Sequence, residues 1–276
     1  MRRGSHLAHR LSLIFAFTLV LLGVERSFGF SSKPSEPAVY TAPPEISLGG
    51  MLANSSQPAV LVIGDSLTVG PFGAYLQSYL QRRIPVSKLC IVASCGSSPE
   101  NWLPETPEFI TPCGFRLVSA KRNFLTKYRD GKKPLKVPTP KIPQILARFK
   151  PRIVIIQQGT NWMDELMKPH DPKGTEYKQN IRAFIREIRS RGQVQIVWIL
   201  PYDASKYSAS IKDSVDRWIK ECAREMNFQT IDSRAITSRY IPGKSGGDGV
   251  HLSDAASREW ASAVIKRLQR LIPSLR

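Results

Sequence analysis

Five short stretches of the chain are largely apolar and rich in β-branched residues: 59–63, 88–93, 152–157, 193–200 and 228–231. Between and after them, apolar residues recur at helical spacing. Val69, Phe72, Leu76, Tyr79 and Leu80 form one stripe, Ile142, Ile145, Leu146 and Phe149 a second, and Tyr177, Ile181, Phe184, Ile185 and Ile188 a third. Ile211, Val215, Trp218, Ile219 and Cys222 form a fourth, and Val264, Ile265, Leu268, Leu271 and Ile272 close the chain. Strands that are apolar throughout, alternating with amphipathic helices, imply a parallel sheet covered on both faces. The pattern predicts an α/β fold, a three-layer α/β/α sandwich around a central, mostly parallel five-stranded sheet. In such sheets ligands bind beyond the carboxyl ends of the strands, so chemistry is expected just after the first, second, third and fifth strands.

Those positions carry distinctive residues. After the first strand comes Gly64-Asp65-Ser66-Leu67, a serine at a strand-to-helix turn where a helix N-terminus favours negative charge. After the second comes Cys95-Gly96-Ser97-Ser98, in which Gly96 allows a backbone N–H to approach a ligand closely. After the third comes Gly159-Thr160-Asn161-Trp162, whose Asn161 offers an amide donor. After the fifth comes a glycine-rich loop and then Asp248-Gly249-Val250-His251. A spacing of three lets the carboxylate reach the imidazole, hold its tautomer and stabilise its cation. Each tetrapeptide alone also suits a plain cap or turn. Of the four histidines, His6 and His9 lie in the N-terminal leader, which leaves His170 and His251 as candidate bases. His170 falls in a Pro/Asp/Lys/Gly loop with only its neighbour Asp171 as a carboxylate.

Taken together these residues resemble the SGNH (GDSL-type) serine hydrolases, over about 60–271. The resemblance implies a flavodoxin-like sandwich and a serine esterase that needs no cofactor. It would make Ser66 the nucleophile, with the N–H groups of Ser66 and Gly96 and the Asn161 amide as oxyanion hole. Asp248 and His251 would complete the triad. The chain departs from the family at Trp162, where the usual Gly-x-Asn-Asp has its Asp. Gly243-Lys244-Ser245-Gly246-Gly247 also fits the nucleophile elbow of α/β-hydrolases. It lacks the strand before and helix after that the elbow needs, and reads as a loop presenting Asp248 and His251. Cysteine spacing suggests no metal site.

The ends of the chain and its charge address location. Arg2, Arg3 and Arg10 precede an apolar run, 11–24, and small residues follow at Ser27 and Gly29. This describes a signal peptide over 1–29, or an N-terminal anchor through which the chain could associate with a membrane. A Pro/Ser-rich linker over 30–58 and the hydrolase-like domain over 59–276 follow. The expectation is an exported protein: periplasmic, secreted or held at the outer face of a membrane. The formal charge is +18, and loss of the leader leaves +15. So basic a surface favours anionic polymers or membranes. No recognised nucleic-acid module accompanies it, and nucleic acid is not expected as a partner.

An even set of cysteines in an exported chain suggests disulfide formation. Cys90, Cys95, Cys113 and Cys222 allow three pairings. Cys95–Cys113 is favoured, because both lie in loops near Gly96. Residues 99–143 form an insertion without regular pattern, broken by prolines. Its Trp102, Phe109, Phe115, Phe124 and Tyr128 could stack on sugar rings, while its lysines and arginines attract an anionic polymer. The insertion is therefore expected to wall the substrate cleft. The expected substrate is a small acyl ester, such as O-acetyl, on an envelope or extracellular polysaccharide. A lipase or thioesterase, an O-acetyltransferase, and a silent polysaccharide-binding protein are the alternatives.

Overall fold

The computed structural model describes residues 58–128, 132–236 and 246–276. The leader 1–29, the linker up to residue 57, and residues 243–245 of the glycine-rich loop lie outside them. The first strand, β1 (Val60–Gly64), leads into a short helix α1 (Ser66–Val69) and then α2 (Pro71–Gln81). β2 (Leu89–Ser94) follows, then β3 (Gly114–Ser119), β4 (Arg122–Lys127) and α3 (Ile142–Arg148). β5 (Ile153–Gln157), α4 (Trp162–Glu165), α5 (Thr175–Arg189) and β6 (Gln195–Ile199) continue the alternation. α6 (Ala209–Met226), β7 (Gln229–Ile231), α7 (Ser233–Ile236) and α8 (Asp254–Leu271) complete it.

The strands form one sheet in the order β4-β3-β2-β1-β5-β6-β7. The expected five-stranded sheet is thus a seven-stranded one. The five apolar stretches are its parallel strands, and β3 and β4 add an antiparallel hairpin beyond β2. The hairpin falls inside the insertion that lacked a readable pattern. Its outer strand alternates half-buried Arg122, Phe124 and Thr126 with exposed Asn123, Leu125 and Lys127. Only Phe124 on the inner face is strongly apolar, so the period of two does not show as a hydrophobic alternation.

β1 has β2 on one side and β5 on the other, and the chain reverses its direction of winding there. That switch point opens a crevice at the carboxyl end of β1, where Ser66 begins α1. The helices pack in two layers. α2 lies on α8, with the rings of Phe72 and Trp260 stacked at 3.8 Å. α5 lies on α6, with Tyr177 stacked on Trp218 at 5.0 Å. β1 and β5 are buried throughout, and hydrophobic burial over both sheet faces is the main stabilising term.

The insertion's aromatic residues correct the expectation of a sugar-stacking wall. Trp102 and Phe115 are buried, and Phe124 packs against Phe115 and the core. Tyr128 is exposed. Phe109 is half-buried, and its ring tip lies where a Cβ on Gly96 would be 3.5 Å away. The insertion therefore borders the Gly96 loop through Phe109 and Pro112 rather than through a row of free rings.

Candidate active site

Gly64, the last residue of β1, pairs with Ala93 of β2 and Gln157 of β5. The three loops that follow therefore leave the sheet side by side and at one level. In the first, Asp65 caps α1 by accepting a hydrogen bond from the Leu67 N–H at 2.9 Å. Ser66 is the first helical residue, so its N–H has no acceptor within the helix. A side chain on Gly64 would collide with Thr68, so only glycine lets α1 start this close to the strand. Thr68 in turn donates to Gln157 Oε1 at 2.8 Å and ties α1 to β5.

His251 reaches this serine from the far end of the chain. Its Nε2 lies 3.0 Å from Ser66 Oγ, and its Nδ1 lies 2.6 Å from Asp248 Oδ2. A carboxylate can only accept, so Nδ1 carries the proton and Nε2 of the neutral ring is the acceptor for the serine hydroxyl. Asp248 Oδ1 accepts from the N–H groups of Val250 and His251 at 2.8 and 2.6 Å. Partial burial would push the Asp248 carboxyl up, but these two N–H bonds and the imidazole outweigh it and hold the pKa at about 2. Asp248 is therefore an anion at any ordinary pH. The turn is fastened where Tyr202 donates to the Val250 carbonyl and Lys206 N–H to that of Gly249. Ser253 then caps α8.

The second loop is pinned from several sides. Gly96 has φ of +84°, a left-handed conformation that favours glycine. The structure joins Cys95 to Cys113 in a disulfide with Cα atoms 5.4 Å apart, and Cys90 and Cys222 are buried free thiols. Ser97 Oγ donates to the Ser94 carbonyl and accepts from the Trp102 indole and the Gln158 amide, both at 3.2 Å. From the third loop, Asn161 Nδ2 donates to the Ser97 carbonyl at 2.8 Å. An amide nitrogen carries two hydrogens, so one remains for a ligand. The structure thus brings Ser66, His251 and Asp248 into one hydrogen-bonded line and fastens Asn161 to the loop of Gly96. His170 stays apart, beside the Lys168 carbonyl and the Trp218 ring.

Comparison with known proteins shows the family and the fold. The family model described as GDSL-like Lipase/Acylhydrolase matches residues 60–264. The chain belongs to that family. It is an SGNH ester hydrolase. Among solved structures, TesA is similar with a TM-score of 0.52 at 17% identity, covering 77% of this chain and 99% of that one. A carbohydrate esterase family 3 protein from Talaromyces cellulolyticus gives 0.51 at 14% identity, covering 78% and 97%. A catalytic mutant of Axe2, an acetylxylan esterase from Geobacillus stearothermophilus, gives 0.50 at 18% identity, covering 79% and 96%. A search of curated protein sequences finds no match.

In this GDSL hydrolase, the departure at Trp162 has a structural answer. Trp162 is fully buried, and its indole N–H points at both carboxylate oxygens of Glu100, at 3.2 and 3.1 Å. Its ring meets Tyr177 edge-on at 5.3 Å. Glu100 follows the Gly96 loop in sequence, so this contact ties the second and third loops together a second time. Burial raises the Glu100 carboxyl to about 7 against the pull of the indole bond, with Glu165 and Glu176 adding to the rise. Ser97, Gln158 and Glu100 are the residues that sequence reasoning missed as parts of the site. The clue was available in Trp162, a bulky donor where the family has a carboxylate.

Asp65 precedes Ser66 and is fully buried. Burial raises its carboxyl to about 7, opposed by the Leu67 N–H, by Gln157, by His251 and by Thr160. Its Oδ2 has no hydrogen-bond partner, nor have Gln157 Nε2 and Thr160 Oγ1. The two neighbours thus pull on the carboxyl from outside hydrogen-bonding geometry.

Proposed function

We propose that the protein is an exported serine esterase that removes short acyl groups, such as acetyl, from a large alcohol such as an envelope or extracellular polysaccharide. Ser66 Oγ attacks the ester carbonyl carbon while His251 Nε2 takes its proton. The Ser66 and Gly96 N–H groups and the Asn161 amide receive the oxyanion. His251 then protonates the departing alkoxide, which leaves an acyl group on Ser66. Water, deprotonated by the same histidine, attacks that acyl group, and the proton returns to Ser66 Oγ as the acid leaves. Asp248, ionised throughout, stabilises the imidazolium at each half-reaction. No cofactor takes part.

The line from Asp248 through His251 to Ser66, at 2.6 and 3.0 Å, carries this reading. Openness supports the large alcohol: the His251 and Asp248 side chains are 51% and 56% exposed, so a bulky leaving group can approach. The basic surface supports an anionic polymer. Carbohydrate esters also appear in the names of two structural neighbours. Export is supported by the basic and apolar leader and by the Cys95–Cys113 bridge, which persists best outside a reducing cytosol.

The test is hydrolysis of p-nitrophenyl esters from acetyl to long acyl chains, with Ser66→Ala beside the wild type. The proposal expects turnover greatest on acetyl and lost in the variant. A preference for long chains would instead assign a lipase or thioesterase.

A further inference from the structure

The β3–β4 hairpin gathers exposed apolar residues. Among the described residues, the exposed large hydrophobics are Val86, Ile110, Leu125, Tyr128, Leu135 and Met167, and four of these six belong to the insertion. Leu135 is 65% exposed, Tyr128 56% and Leu125 43%. Leu125 and Leu135 are neighbours in space as well. The Leu135 N–H donates to Thr126 Oγ1 at 2.8 Å, and residues 110 and 111 pair with the strand-like return through 137 and 138. A groove of about 400 Å³ runs between β4 and this return, lined by Leu125, Lys127, Lys132, Lys133, Pro134 and Leu135.

The charged residues of this stretch are mostly basic. Lys127, Lys132, Lys133 and Lys136 are exposed, and Asp130 is the only acid between 121 and 138. An exposed apolar cluster on a small domain marks an interaction site. Lysines interleaved with leucines suit a surface that is anionic outside and apolar beneath. The leucines enter the acyl boundary while lysine stems lie along it and their ammonium groups meet the headgroups. A soluble polyanion would use the lysines and leave the leucines in water.

The position relates the patch to the site. Phe115 pairs with Ser94 at the carboxyl end of β2, and Thr126 pairs with Phe115. Leu125, Thr126 and Lys127 therefore lie on the rim of the sheet from which Ser66 rises. β4 is three strands from β1, about 14 Å at ordinary strand spacing. Among the described residues no helix is long and apolar enough to cross a membrane.

We propose that the hairpin edge around Leu125, Leu135, Lys127, Lys132 and Lys133 is a docking face for an anionic lipid bilayer. It lays the catalytic rim against the membrane surface, whatever ester the enzyme cleaves there. The N-terminal apolar run could also bind vesicles, so the test reads the patch itself in the full chain. Leu135→Cys carries an environment-sensitive nitrobenzoxadiazole label, and Val86→Cys, exposed ahead of β2 at the opposite rim, carries the control label. Vesicles of phosphatidylglycerol should give a blue-shifted, severalfold brighter emission at position 135 and none at 86. Vesicles of phosphatidylcholine alone should leave both unchanged. Combining Lys132→Glu with Lys133→Glu should weaken the apparent vesicle affinity at least about tenfold, with p-nitrophenyl acetate turnover in solution unaltered. Sedimentation with vesicles while the 135 label stays silent would overturn the proposal. So would an equal response at 86, or an equal response at 135 to a soluble acidic polysaccharide.

Discussion

The two halves of the site are built differently. The half around Ser66, Gly96 and Asn161 grows from the sheet. Its Asp65, Ser97 and Gln158 are fully buried, and the loops are cross-tied by a disulfide, by Ser97 and by the Trp162–Glu100 contact. The half around His251 is a four-residue turn, half open to solvent and organised mainly by its own N–H groups. The proposed mechanism needs donors that do not reorganise as charge develops, and it takes them from the rigid half. It also needs a base that passes protons to alcohol and water, and it takes that from the exposed turn, where both can arrive. Catalytic power and stability should therefore separate between the halves.

The largest effect belongs to the open half. His251→Ala should lower kcat by about 10⁴-fold with little change in melting temperature, since the side chain is exposed and packs on little. Equal losses in kcat and in stability would show that the turn is structural. Asn161→Ala comes next, with kcat falling about 10²- to 10³-fold and KM nearly unchanged. A rise in KM alone would assign Asn161 to ground-state binding.

Trp162→Phe tests the rigid half. It keeps the ring but takes the indole donor from the half-buried Glu100, which should cost about 1–3 kcal/mol of stability. Because the contact ties the Asn161 and Gly96 loops together, kcat on p-nitrophenyl acetate should also fall. Denaturant titration and kinetics on the same samples would check both. A stability loss with kcat intact would mean that the loops hold their geometry without this tie.

Asp65→Asn is the one substitution expected to stabilise, and its effect grows with pH. The folded-state carboxyl titrates near 7, against 3.8 for an ordinary one. The folded protein therefore holds this proton more tightly than the unfolded chain, and the wild type loses stability as pH rises from about 4 through 7. The asparagine variant cannot ionise and can still cap α1. Its melting temperature should gain on the wild type between pH 4 and pH 8. A constant difference across that range would show that Asp65 ionises without penalty.

Much of this architecture was legible from the chain. The parallel strands showed because strands covered on both faces must be apolar at every position, as in Ile153, Val154, Ile155 and Ile156. The four tetrapeptides were visible because the fold puts ligands at the carboxyl ends of those strands. The hairpin was hidden by its composition: β4 has Asn123 and Lys127 on its open face and only Phe124 as a strong anchor on the other. The cross-ties were hidden for a different reason. Ser97 meets Gln158 and Glu100 meets Trp162 across about sixty residues, and no local period records such a pairing. Trp102 and Phe115 misled, because an aromatic residue in an insertion reads equally as a ligand platform or as core.

The most direct test of the account is covalent. The intact protein would be treated with a fluorophosphonate, which phosphonylates an activated serine, and the adduct located by peptide mass spectrometry. One stoichiometric adduct on Ser66, absent in His251→Ala, is the predicted result. An adduct on Ser245, or none on folded and oxidised protein, would contradict the assignment of Ser66 as the nucleophile.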